Sequence, residues 1–440
     1  MQHCDTLIAP RWCVPVEPEG VVLSDHAIIV SDGRIQDLLP LPKALQKYQP
    51  SVQVVRPNHA VIPGLVNAHT QAAMTLLRGF GGDLHQSAWL RERIWPAERR
   101  WVSAEMVRDG TELAIAEMLR AGITCFSDQY FFPEIVAETA VDLNMRAMVG
   151  TMVVDFPSSW ARDAEEYLRK GSDLVHDPYV DHPLISSCYA PHSLGALSDA
   201  SFAELRVMAD QLDVPVHVNL HETEAEIASS VEQTGKRPFE RLDALGLVNA
   251  SLLAAHAIYF TDAEIDRIAE TGVSIAHCPR SNLKLASGIA PIGRFRLAGI
   301  NVGIGTDGAA SNNVLDMLAE VRAATLLARA QSNNPAAITP AEALRMGTLD
   351  SARVLGLADS IGSIDHGKYA DLACIDLSRL NCQPVYDVIT TLIFSSNSSQ
   401  VSDVWVAGKH QLDDGQLVSI NTDDLLKRCN EWQERIAAST

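Results

Sequence analysis

Imidazole, carboxylate and amide side chains recur at the ends of five apolar runs: His69 with Gln71; His217, Asn219, His221 and Glu222; His256; His277 with Arg280 and Asn282; and Asp307. Side chains of these types support two kinds of chemistry. They move protons as general acids and bases, and they hold divalent metals through imidazole nitrogen and carboxylate oxygen. Alternate residues of an extended run face the same side, so His69 goes with Gln71, and His217 with Asn219 and His221. A single strand histidine is commonly a satisfied core residue. Five runs ending in the same way point to one convergent site.

Such a site needs the runs to be neighbours in one sheet. Eight apolar segments, at 61–66, 123–126, 146–154, 184–189, 214–220, 252–257, 273–277 and 301–305, alternate with amphipathic helices. The helices carry start signals: Thr261 with Glu264 and Thr339 with Glu342 read as capping boxes, the second with Pro340 at the first helical position. Eight β–α alternations predict an α/β fold, a (β/α)8 barrel of the TIM type whose chemistry lies at the carboxyl ends of its strands. The first 60 residues and the far end read differently, as short strands punctuated by turns such as Ser31-Asp32-Gly33.

Composition bounds the partners. The chain has 440 residues, 47% of them hydrophobic, with 35 Lys plus Arg against 55 Asp plus Glu, a formal net charge of −20. With no basic run to track phosphates, nucleic acid and anionic membrane are excluded as partners, and a small molecule is expected. The eight cysteines are scattered without a C-x-x-C pair. The amino terminus has no secretory pattern, and no apolar stretch nears the roughly 18 residues of a membrane helix. A cytoplasmic protein is expected.

The ordered motifs Pro63-Gly64-Leu65-Val66-Asn67-Ala68-His69, Pro191-His192, His221-Glu222-Thr223, His277-Cys278-Pro279 with Ser281-Asn282-Leu283-Lys284, Gly305-Thr306-Asp307-Gly308 with Ser311-Asn312-Asn313, and Gly367-Lys368-Tyr369-Ala370-Asp371-Leu372 resemble the amidohydrolase superfamily. They look most like its 5′-methylthioadenosine and S-adenosylhomocysteine deaminases and the triazine chlorohydrolases. The resemblance spans nearly the whole chain. It implies a barrel at 61–365, a small β-sandwich domain composed of 1–60 and 366–440, and a homodimer or larger homo-oligomer.

The resemblance also implies roles. Glu222, His256 and Asp307 match the catalytic positions: Glu222 shuttles the proton, His256 polarises the substrate or orients the nucleophile, and Asp307 serves as ligand and base. His192, Trp89, Arg162, Arg280 and Asn282 are the candidate substrate contacts. Of the family's metal shell, His69 and Asp307 match, whereas Gln71 and Asn219 stand where histidines belong. An amide offers zinc only a neutral carbonyl oxygen. The shell of His69, Gln71, Asn219 and Asp307 therefore reads as vestigial, with no metal and no cofactor expected unless His217 or His221 rebuilds the site. The leading expectation is an amidohydrolase-type hydrolase acting on a small N-heterocyclic or nucleoside-like substrate by metal-independent or altered-metal acid–base chemistry. The alternatives are a non-catalytic small-molecule-binding protein and a conventional zinc deaminase with a rebuilt site.

Overall fold

The computed structural model describes residues 1–82 and 84–438. It resolves into two compact units, one of Met1–Asn67, Ala116–Cys125 and Asp316–Ile420, the other of Ala68–Ile115, Phe126–Leu315 and the chain from Asn421 onward.

In the first unit, strands from both termini join in one mixed nine-stranded sheet. The amino-terminal strand Gln2–Cys13 runs parallel to the long strand Tyr48–Pro63, which pairs antiparallel with Leu372–Asp376 near the other end of the chain. The predicted turn at Asp32 and Gly33 joins His26–Ser31 to Arg34–Pro40, both turn residues having positive φ, as the tightest hairpins require. Ile8, Ile28, Val61, Leu372 and Trp405 pack together as part of this sheet's core.

The second sheet is the barrel, eight strands in sequential order. They are β1 (Leu65–Thr70), β2 (Ile123–Tyr130), β3 (Arg146–Val153), β4 (Ile185–Pro191), β5 (Val216–Leu220), β6 (Leu252–His256), β7 (Ser274–His277) and β8 (Val302–Ile304). The pairings of β3 with β4 and from β4 on to β8 are parallel, as βαβ connections demand. Both capping boxes form, Thr261 accepting from the Glu264 N–H and Thr339 from the Glu342 N–H. Beyond β8 the barrel approaches closure. The Asp307 N–H donates to the His69 carbonyl at 2.9 Å, and a Cβ on Gly305 would stand 2.8 Å from the His69 backbone nitrogen. Glycine is what lets β8 come that near β1.

Two strands differ from the sequence expectation. The apolar run at 61–66 is split: its first three residues finish the long strand of the terminal sheet, and β1 begins only after Gly64, where a Cβ would collide with Thr124. β2 extends four residues past the predicted 126, through Ser127, Asp128, Gln129 and Tyr130, all buried. Among the described residues, no helix is long and apolar enough to cross a membrane.

Asp128, in that polar extension, carries a pH dependence. Its Oδ1 accepts the Ala72 N–H at 2.7 Å, Oδ2 has no partner, and burial outweighs that one bond to push its pKa up to about 7. A carboxyl whose folded pKa lies above its unfolded value is held protonated by the fold, so stability drains away as pH rises from about 4 to about 7. Asp128→Asn keeps the acceptor and removes the ionisation. Thermal melts should therefore show the variant gaining on the parent across that window, by up to about 4 kcal/mol at pH 8. A difference that is flat with pH would show that Asp128 does not titrate there.

Candidate active site

The second unit gathers the strand-end residues at the carboxyl ends of the barrel strands, where barrel enzymes keep their chemistry. Three of them, His221, His256 and Asp307, have left-handed backbone with φ of 54°, 69° and 60°. For residues other than glycine such a conformation costs of order 1 kcal/mol each and persists where the surroundings impose it, commonly at functional sites.

His69 lies at the centre of a buried relay. Its Nδ1 is 2.8 Å from His217 Nε2, and His217 Nδ1 is 3.2 Å from Ser127 Oγ. Burial lowers the pKa of both imidazoles, which are neutral at pH 7. Each neutral ring has one donor and one acceptor nitrogen. With His69 donating from Nδ1 to His217, and His217 donating to Ser127, the His69 Nε2 lone pair is left without a donor. That atom has no hydrogen-bond partner and faces Asp307 Oδ1 at 3.6 Å. The gap is too long for a hydrogen bond, and in this tautomer two buried acceptors face each other, an arrangement that a cation between them would relieve.

Asp307 faces that atom as a buried carboxylate. Burial pushes its carboxyl pKa up, but the charge on His256 and the hydrogen bonds it accepts, Ser311's among them, outweigh burial and hold it well below the usual carboxylate range. Oδ2 accepts from Ser281 Oγ at 2.7 Å and Ser311 Oγ at 2.6 Å, and Oδ1 accepts the Gly308 N–H at 2.6 Å. Asn219 Oδ1, two residues along β5 from His217, is likewise buried and unpartnered. An imidazole nitrogen, a carboxylate and an amide oxygen are donor types that divalent ions take.

His256 and Glu222 form the adjoining pair. The Nδ1 of His256 is 2.8 Å from Asn282 Oδ1, which fixes Nδ1 as the protonated nitrogen and turns Nε2 toward Glu222 Oε2 at 4.0 Å. Burial lowers the His256 pKa, but the charges of Glu222 and Asp307 and the Asn282 bond outweigh it, leaving the pKa raised. The site can therefore hold a cation beside a carboxylate–imidazole pair able to move a proton.

The other expected residues divide. His192, just past β4, has its pKa lowered by burial against the opposing pull of the Asp307 charge, which places it near that carboxylate. Gln71 turns its amide oxygen toward Gly308, 3.0 Å from where a Cβ there would stand. Trp89 is buried, donating Nε1 to the Phe80 carbonyl at 3.0 Å, and so pins the segment that follows β1. Arg280 is half-buried in the first turn of the helix Pro279–Lys284. Asn282 stands behind His256. Arg162 is not brought to this group: its side chain is 81% exposed and paired with Glu166 at 2.8 Å. His217 and His221 do not join the donor set, since His217 backs His69 and His221 Nε2 accepts the Phe239 N–H at 3.2 Å. Ser281 and Ser311 lie in the sequence motifs beside Asn282 and Asp307 but carry no role there, and Ser127 and Gln86 are not among the sequence candidates.

Comparison with known proteins adds the following. A family model described as the amidohydrolase family matches residues 60–410. Over 434 residues, 99% of this chain and 98% of the relative, the sequence is 40% identical to the 5-methylthioadenosine/S-adenosylhomocysteine deaminase of Teredinibacter turnerae. The solved structure of an adenosine deaminase from Xanthomonas campestris with bound zinc is 48% identical, with a TM-score of 0.98 and 99% of each chain covered. Atrazine chlorohydrolase from Arthrobacter aurescens, also complexed with zinc, shares the fold at 24% identity, with a TM-score of 0.89 and coverage of 97% of this chain and 99% of that one. The zinc in the adenosine deaminase structure overturns the expectation of no cofactor and points to a divalent metal. By residue type the two amides count as lost ligands, whereas the His69 Nε2 facing Asp307 is a feature of tertiary structure alone.

Proposed function

The chain belongs to the amidohydrolase family, and from that membership we propose that it is a metal-dependent hydrolytic deaminase of adenosine-type nucleosides. The observation that carries this reading is the unpartnered His69 Nε2 facing Asp307 Oδ1 at 3.6 Å, beside the His256–Glu222 pair. The substrate class follows from the relatives, which are named as deaminases of adenosine, 5-methylthioadenosine, S-adenosylhomocysteine and 5'-deoxyadenosine.

His69, Asp307 and Asn219 would hold the ion, His217 keeping the His69 lone pair aimed at it. When bound, a divalent ion lowers the pKa of water enough to supply a nucleophile near neutral pH. Glu222 takes the proton released as water adds to the amino-bearing ring carbon and passes it toward the departing amine. His256, with Nδ1 committed to Asn282, presents Nε2 to the reacting oxygen. Water and the amino heterocycle become the oxo heterocycle and ammonia. His192 contacts the substrate at the β4 end of the cavity. The eight cysteines are thiols outside any disulfide, which suits a reducing, cytoplasmic compartment. A homodimer or larger assembly completes the proposal, to be read by light scattering.

Metal analysis of the purified protein, followed by ammonia release from adenosine, 5′-deoxyadenosine, methylthioadenosine and S-adenosylhomocysteine, tests the reading. About one divalent ion per chain and turnover of at least one of the four, lost on chelation and regained on adding metal, is expected. Metal-replete protein that releases ammonia from none of them sinks it.

A further inference from the structure

Glu222 is held from several sides, and its two oxygens are held differently. Its backbone N–H donates to Glu226 Oε2 at 2.8 Å. Oε1 accepts Gln86 Nε2 at 2.5 Å and, more weakly, Ser287 Oγ at 3.4 Å. Oε2 is left facing His256 Nε2 at 4.0 Å. Gln86 is 136 residues away in sequence and opens the short helix Gln86–Trp89, in the segment whose buried Trp89 is tied to the Phe80 carbonyl. A segment remote in sequence thus grips one oxygen of the carboxylate expected to carry the proton.

We propose that Gln86 is a positioning residue: by donating to Oε1 it fixes the Glu222 carboxylate with Oε2 turned toward His256, and it ties the seating of its own segment to that orientation. The inference rests on Glu222 being the proton carrier. The terminal torsion of a glutamate is broad and roughly two-fold, so without a donor on one side the carboxylate samples orientations that turn Oε2 away. An amide suits the task because it orients the carboxylate without placing a full positive charge on it, and so leaves it able to accept and release a proton.

Gln86 is half-buried, so its replacement leaves the barrel core intact. Gln86→Leu, which removes the donor, should lower kcat for ammonia release by roughly 10- to 100-fold with KM within about threefold, a misplacement effect. Gln86→Glu, the same size but a donor only when protonated, should lose as much above neutral pH and recover toward acid pH, because two carboxylates at this separation cannot both stay ionised. An unchanged kcat in Gln86→Leu, or a loss confined to KM, overturns the proposal, the latter by making Gln86 a substrate contact. Hydrogen exchange supplies a readout that needs no substrate. Gln86→Leu and Glu222→Ala should each speed exchange of the amides at 85–94, and the double variant should add nothing further. If neither changes exchange, there is no tether, whatever the substrate proves to be. If the parent protein deaminates none of the four nucleosides but exchange responds as expected, the proposed function fails while the tether stands.

Discussion

Glu222→Gln should lower kcat for ammonia release by about 10²- to 10⁴-fold, the usual worth of a positioned proton carrier, while metal content and melting temperature stay at the parent's values. The substitution isolates the proton. An amide oxygen at Oε1 still accepts from Gln86 Nε2 and Ser287 Oγ, and the backbone bond to Glu226 is untouched. The side chain is 13% exposed and lies among partners that the amide satisfies, so the fold has no reason to respond. What disappears is the one group that faces both the reacting centre and His256 Nε2 and can bind and release a proton. Steady-state rates, with metal content measured on the same preparation, decide the matter. A loss of less than tenfold would move the proton to His256 or Asp307. A loss accompanied by missing metal would mean that Glu222 belongs to the ion's shell.

The barrel was legible because apolar runs bounded by turn residues and capped helices are local patterns, and all eight predicted runs correspond to strands. Two boundaries failed for physical reasons. Apolarity runs continuously through 61–66, and nothing in side-chain type separates Val61 from Val66; the division comes from Gly64, where only a hydrogen fits beside Thr124. β2 looked finished at Phe126 because Ser, Asp and Gln read as loop, yet these polar groups are buried and partnered across the barrel, Ser127 with His217 and Gln129 Nε2 with the Pro191 carbonyl. The histidines of β5 show the limit of the alternation rule. Positions 217, 219 and 221 share a parity, which left both histidines as possible donors. The strand ends at Leu220, and the positive φ of His221 swings its ring out to the Phe239 N–H and against Phe260, where the ring centroids are 4.5 Å apart. Gln86 was invisible because its partner is set by tertiary structure alone. The metal expectation failed on the same ground: residue types record which donors changed, whereas the case for an ion rests on an orphaned lone pair facing a carboxylate.

Asp307→Asn should strip the metal. The parent is expected to keep about one ion per chain through dialysis, and the variant less than roughly a tenth of that. Saturating metal should no longer raise the melting temperature, where binding at about 100 times Kd stabilises the parent by about 2.7 kcal/mol. The reasoning is electrostatic. Burial penalises the Asp307 charge, yet its surroundings hold the carboxyl ionised, and an anion kept at that cost in a buried site is stable only with compensating positive charge. The proposed set of His69, Asn219 and Asp307 contains one anion; replacing it with an amide leaves three neutral donors, a poor set for a strongly hydrated dication. Collapse of the site would not explain the loss. Asparagine tolerates the left-handed backbone at φ 60°, its oxygen can still accept the Gly308 N–H, and its NH₂ can donate to the hydroxyl oxygens of Ser281 and Ser311, which rotate to receive it. Emission analysis for metal and melts at graded metal concentrations read both halves of the expectation. If the variant keeps its ion, the charge that binds it lies elsewhere, and Glu222, beside His256, is the carboxylate to examine. If it loses the ion and melts like metal-free parent, the His69–Asp307 gap is where the cation sits.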